Sequence, residues 1–214
     1  MRILAVALAL GLPAGQDFDK AKHPWAKWKV DSCTKFAMKI EVAGQTFDGE
    51  YKSTLTGLKE KEYSLRHVSS FMGAVQEEVE TETYGERKGE EKLKVGDREH
   101  ECVVWASGGK RGEKDLSSKL WIPAGKEVPL KMTWKAGDDE NGEFTTTKLS
   151  EKVTAGGKEF DAVLLEGEMT SAELGAMKGK IWMNASVPGG VVKMELSGDQ
   201  AKISIDLVEF DAKK

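Results

Sequence analysis

Cysteine, proline and histidine are all scarce in this chain. Of 214 residues, two are Cys, five are Pro and three are His. Two cysteines cannot build a disulfide-dense scaffold. In an oxidising compartment Cys33 and Cys102 could form one bridge; otherwise they are two thiols, with Cys102 a small hydrophobe in an apolar strand. His23, His67 and His100 have no metal-pair spacing, and H-E-x-x-H is missing. His100 and Cys102, two apart, would share one face of a strand, but they supply only part of a tetrahedral zinc set. No cofactor is expected. Positive charge is not in excess either. Lys and Arg total 32 against 36 Asp and Glu, a net charge of −4 with no basic stripe, which argues against nucleic acid as a partner. Beyond residue 12 no stretch is apolar enough to span a bilayer.

The long apolar run that does exist is at the start. Met1-Arg2 is a minimal positive region, residues 3–12 are unbroken apolar, and Leu12-Pro13-Ala14-Gly15 supplies small residues for cleavage. This reads as a signal peptide over 1–15, and hence as an exported protein, periplasmic or extracellular. Loss of Arg2 with that segment moves the net charge to −5. Residues 16–30 form an N-terminal segment. Phe18, Ala21, Trp25 and Trp28 stand at helical spacing within 17–29 and predict a short helix there.

From there the period becomes two. Phe36, Met38, Ile40 and Val42 alternate with polar residues, as do Tyr63, Leu65 and His67; Leu130, Met132 and Trp134; Val192, Met194 and Leu196; and Ile203, Ile205 and Leu207. Strands with one oily and one wet face are the mark of antiparallel sheet. About a dozen are countable, and the 23 glycines fit the turns between them. Residues 31–214 therefore read as a single mainly-β domain, an antiparallel meander forming a curved sheet, half-barrel or sandwich. The polar, β-branched run from Val75 to Thr83 reads as a solvent-facing edge strand.

An internal repeat is visible over about 92–151 and 152–212. Glu99-His100-Glu101-Cys102-Val103 resembles Glu159-Phe160-Asp161-Ala162-Val163. In the same order, Lys119-Leu120-Trp121 resembles Lys180-Ile181-Trp182, Val128-Pro129 matches Val187-Pro188, and Lys131-Met132 matches Lys193-Met194. The reading is a β-meander built twice.

Catalytic chemistry is hard to find. Ser32-Cys33-Thr34-Lys35 fits S-x-x-K, but a strand follows where that mechanism needs a helix, and neither partner motif exists. Gly108-Gly109-Lys110-Arg111-Gly112 lacks the order of a phosphate loop and reads as a hairpin turn. Glu77, Glu78, Glu80 and Glu82 could attract calcium, though a solvated strand face explains them more simply. Asn184-Ala185-Ser186 is a sequon by pattern. No catalytic or metal site is expected. The positive signal is a Trp and Met set on alternating strands: Trp105, Trp121, Met132, Trp134, Trp182 and Met194. Such residues make adaptable apolar surfaces for acyl chains or hydrophobic peptides, and they also fill ordinary cores.

Trp28-Lys29-Val30, Lys180-Ile181-Trp182, the segment from Val187-Pro188-Gly189-Gly190 to Lys193, and Leu207-Val208-Glu209-Phe210 carry a family resemblance. With the signal peptide, they look like a group of exported bacterial β-meander proteins similar to the half-barrels of Lol-type lipoprotein carriers and periplasmic lipid binders. The resemblance implies an open, curved sheet with lipid in its concave face. The long helices covering the carrier half-barrel have no counterpart here. The expected function is a non-enzymatic exported protein holding a hydrophobic small molecule or lipid, such as a lipoprotein acyl chain. The alternative is an envelope structural or protein-interaction module with a fully packed core.

Overall fold

A computed structural model describes residues 24–214; the expected signal segment and the first part of the expected helix lie outside these residues. The described chain forms thirteen strands: β1 (Cys33–Val42), β2 (Gln45–Leu58), β3 (Glu62–Phe71), β4 (Ala74–Thr83), β5 (Glu86–Val95), β6 (Arg98–Arg111), β7 (Lys114–Pro123), β8 (Lys131–Ala136), β9 (Glu140–Ala155), β10 (Lys158–Ser171), β11 (Gly175–Met183), β12 (Val191–Gly198) and β13 (Ala201–Asp211). All pairings are antiparallel, as the two-residue period requires.

The sheet does not stay open. Its order runs β4-β3-β2-β1-β13-β12-β11-β10-β9-β8-β7-β6-β5, and β4 also pairs with β6. Twelve strands therefore close into a barrel, with β5 attached to β6 outside the ring. This corrects the half-barrel or sandwich reading. Alternation within each strand specifies one buried face but not whether the first and last strands meet. The seam is short: Glu80, Thr81 and Glu82 pair with Arg111, Lys110 and Gly109.

The expected helix is corrected too. No residue from 24 on is helical. Trp25 and Trp28 do bury together, but on a single turn in which Trp28 N–H donates to Trp25 C=O (3.0 Å). Pro24 C=O accepts from Gly189 N–H, Lys29 N–H donates to Lys213 C=O, and Asp31 N–H donates to Leu55 C=O. Backbone groups committed to three other segments cannot serve a helix. The segment instead seals one mouth of the barrel. Both indoles pack on Leu55, Tyr63, Leu65 and Tyr84, and Lys27 ion-pairs with Glu127 (2.7 Å). The other mouth is rimmed by the short turns of the β1–β2, β3–β4, β6–β7, β8–β9, β10–β11 and β12–β13 hairpins.

Strand β4 keeps the expected exposed edge over residues 75–79, which pair with β3 alone, but residues 80–82 close the ring and turn alternate side chains inward, so Glu80 and Glu82 are 1% and 3% exposed. Residues 108–111 are likewise not a turn. They continue β6 to the seam, and the chain reverses only at Gly112-Glu113. The glycine at 109 is needed there, because a Cβ would collide with Thr81 O and Glu82 Cα across the seam.

Three more inward-facing glycines are pressed against a neighbouring strand's carbonyl oxygen. A Cβ on Gly49 would lie 2.7 Å from Ser70 O, one on Gly198 2.7 Å from Ala176 O, and one on Gly167 closer still to Glu143 O. Paired strands that approach this closely must bend or coil at these points, as glycine permits. These bends have a consequence for the lumen. Eight strands already enclose a space that side chains just fill, so twelve closed in a round would leave a void. Yet Ile40, Met132, Leu165 and Ile205 are fully buried, in one apolar cluster that draws on β1, β2 and β6–β13. The barrel is therefore flattened, with its walls in contact.

Candidate functional site

The lumen has two unlike halves. The apolar half is rich in methionine. Of the eight methionines in the chain, Met38, Met132, Met169, Met177, Met183 and Met194 all lie in the main lumen cluster. The thioether chain is unbranched and polarisable, so it repacks around irregular shapes at small cost.

The other half, behind the seam, is polar. Strands β2, β3 and β4 bring Tyr51, Ser53, Tyr63, His67, Glu80 and Glu82 to the inward face, because Ser53 is the register partner of His67 and Tyr63 that of Glu82. All six are buried. The Tyr51 hydroxyl lies 2.6 Å and the Ser53 hydroxyl 2.9 Å from His67 Nδ1. Tyr51 also stacks on the imidazole and belongs to the apolar cluster, so it joins the two halves. The other ring nitrogen, Nε2, faces Glu80 Oε2 at 3.6 Å. Tyr63 O–H donates to Glu82 Oε2 at 2.5 Å. Burial, and then the carboxylates of Glu82 and Glu80, hold the Tyr63 phenol well above its ordinary pKa. Burial pushes Tyr84 up to about 12.

The six Trp and Met candidates do not form one surface. Met132, Met194 and Trp105 are in the lumen cluster, with Trp134 packed against it. Trp121 and Trp182 face outward in two separate clusters. Their surroundings are duplicates. Trp121 Nε1–H donates to Glu91 (2.7 Å) beneath the ammonium of Lys131, and Trp182 Nε1–H donates to Glu151 (2.8 Å) beneath that of Lys193. Each indole reaches across one intervening strand, β6 or β10, and so clasps three strands.

The exterior carries charge ladders. One row reads Glu166, Lys180, Glu195, Ser204, Lys39, Asp48 across six register-paired strands. Opposite charges so placed support the sheet. A groove of about 720 Å³ crosses this face, lined by the same lysines and glutamates together with Gly167 and Gly179. None of the Trp and Met candidates lines it. No helix among the described residues is long and apolar enough to cross a membrane.

The cysteines are both free thiols. Cys33 opens β1, whereas Cys102 lies on β6, which the sheet order places four strands away through β2, β3 and β4. Cys102 is buried, and burial and then Glu91 raise its pKa, so little of it is thiolate. Folded protein treated with a thiol reagent at neutral pH should label at Cys33, with Cys102 reacting only on denaturation. Rapid labelling of both would refute this placement. No His, Cys, Asp and Glu grouping among the described residues could hold a metal ion. Asn184 of the sequon is engaged: its Nδ2 donates to Asp161 C=O (2.7 Å) and its Oδ1 accepts from Ser186.

The polar cluster escaped sequence reasoning. The one available signal was parity. Tyr51-x-Ser53, Tyr63-x-x-x-His67 and Glu80-x-Glu82 share the parity of buried Leu55 and Leu65, given β2, β3 and β4 as neighbours.

No protein-family model and no curated protein matches the chain. Among solved structures it is similar to a DUF1329 family protein from Desulfovibrio piger, with 10% identity over 86% of each chain and a TM-score of 0.37. It is also similar to a chain of the Pseudomonas aeruginosa MucA/MucB complex, with 12% identity over 86% of this chain and 94% of that one, at a TM-score of 0.18. Likenesses at this level assign no function.

Proposed function

We propose that this is a non-enzymatic, exported binding protein that takes a hydrophobic molecule, such as a lipid or acyl chain, into the methionine-rich half of its lumen. The carrying observation is that six of the eight methionines meet inside a barrel with more strands than its filling needs. Rounding the flattened section would create volume, and methionine side chains would re-form around the guest. The polar cluster supports a non-catalytic reading. Ser53, His67 and Glu80 have a hydrolase-like order, but water does not reach them, and Tyr51 competes with Ser53 for the same ring nitrogen.

The tight packing of side chains in the lumen favours a second reading, an envelope interaction module with a filled core. One set of measurements separates the two. A hydrophobic carrier, extracted under native conditions, returns lipid in mass spectrometry and enhances the fluorescence of N-phenyl-1-naphthylamine. The double variant Met132→Ile, Met194→Ile keeps volume but stiffens the filling, and should weaken probe uptake several-fold with a small change in stability. A protein that returns no lipid, ignores the probe and captures an envelope partner would be the module.

A further inference from the structure

Resting on the reading of the lumen as a hydrophobic site, we propose that its portal is the β4–β6 seam, which parts while the rest of the ring stays paired.

Several independent features meet at this seam. It is the shortest in the ring, with three register pairs, where every other neighbouring pair of strands shares five or more. Parting it breaks few backbone hydrogen bonds, together with the Thr83 Oγ1–H bond to Gly108 C=O (2.9 Å). Strand β4 has a free start. Ala74–Val79 pairs with β3 alone, so the strand can peel from that end. It also has a hinge. β4 and β5 run consecutively along β6, bent at Tyr84-Gly85, where Gly85 has φ +64°. While β4 leaves, β5 stays anchored to β6 by its own ladder.

The wall behind the seam decides the energetics. Elsewhere the lumen lining is Met, Leu, Ile and Phe, which resist exposure to water. Here it is Glu80 and Glu82 from β4, with Ser107 of β6 hydrogen-bonded to Ser118 of β7 (2.5 Å). Carboxylates and hydroxyls regain hydration when wetted, which offsets part of the lost pairing. Close approach at this point depends on Gly109, so the seam is closed by the absence of a side chain rather than by apolar packing.

The test is a reversible staple. Thr81 and Lys110 are register partners across the seam. Directly opposed Cα atoms lie about 4.5–5.5 Å apart, within bridging range. In a Cys33→Ser, Cys102→Ala background, Thr81→Cys with Lys110→Cys forms the seam staple. Lys39→Cys with Asp48→Cys forms a control staple between β1 and β2. Uptake of N-phenyl-1-naphthylamine should slow at least tenfold with the seam oxidised, recover on reduction, and be unaffected by the control staple. Unchanged uptake through a fully oxidised seam overturns the portal and leaves the binding reading standing. No uptake by the reduced protein overturns both. Hydrogen exchange on the unmodified chain gives a second measure. Those amides of residues 80–82 and 109–111 that point into the seam should exchange at least tenfold faster than amides of the β1–β13 ladder, and equal protection would also overturn the portal.

Discussion

Replacing Gly167 with valine should destabilise the protein by about 3 kcal/mol or more, or prevent folding. Gly57→Ala should change stability by only about 0.5 kcal/mol in either direction. Both glycines lie inside strands, where propensity alone would favour the valine over the alanine. Their surroundings differ. A Cβ on Gly57 would meet nothing nearer than the Ser64 side chain at 3.7 Å, an ordinary contact. A Cβ on Gly167 would overlap Glu143 O and crowd Phe144 Cα, and these are backbone atoms of its own pairing strand. They can retreat only if β9 and β10 unfold their sharp mutual bend. That bend is one of the corners that flatten the barrel, so the cost falls on the whole filled lumen and not on one residue. Urea titration with circular dichroism measures both variants. A Gly167→Val protein as stable as the parent would show that the wall is not folded at this glycine.

The corner glycines also mark where sequence reading stopped. Strand identity was legible from alternation: Phe36-x-Met38-x-Ile40 and Ile203-x-Ile205-x-Leu207 have no other economical reading, and they do pair as β1 with β13. Closure was not legible, because it depends on a few backbone contacts at Gly109 whose partners are 27 or more residues away. An inward glycine looks the same in sequence as a turn glycine, which is how residues 108–112 came to read as a hairpin. The acidic run of β4 was legible at its start and not at its end. Glu77 is solvated, as glutamate in a strand normally is, whereas Glu80 and Glu82 turn inward beside His67 and Tyr63 of β3, where the ring closes against β6. The N-terminal helix failed because Trp25 and Trp28, three apart, satisfy helical spacing and a single turn equally well.

The candidate site was legible in part. Met132, Met194 and Trp105 share the lumen, as a core reading and a ligand reading both require. Trp121 and Trp182 were grouped with them by residue type, although each stands beside an inward-facing neighbour and so must point outward. Their matching Glu and Lys partners give them a structural task, clasping three strands on the barrel exterior. The polar half of the lumen carries no motif, since its members come from three strands and are joined only by register.

Two buried phenols should set the alkaline limit of the fold. The chain has three tyrosines, Tyr51, Tyr63 and Tyr84, and all are buried. The phenols of Tyr63 and Tyr84 both have raised pKa values, the first through burial and the charges of Glu82 and Glu80, the second through burial. A group whose pKa is raised by folding favours the folded state in its protonated form. Its contribution is complete below the unfolded value of about 10 and is lost as pH climbs through the folded value. Stability should therefore hold from neutrality to about pH 10 and then fall steeply. Tyrosinate absorbance from these two residues should stay absent at pH 10 and rise together with loss of the sheet signal. Tyr63→Phe should act in two ways. At neutral pH it strips Glu82 of its phenolic donor inside the barrel, a loss of about 1–3 kcal/mol. Above pH 10 it removes one of the two titrating groups, so the decline should become shallower. Independent, non-cooperative ionisation of Tyr63 near pH 10 in a still-folded protein would mean that water reaches the seam wall, and that the lumen behind β4 is open at rest.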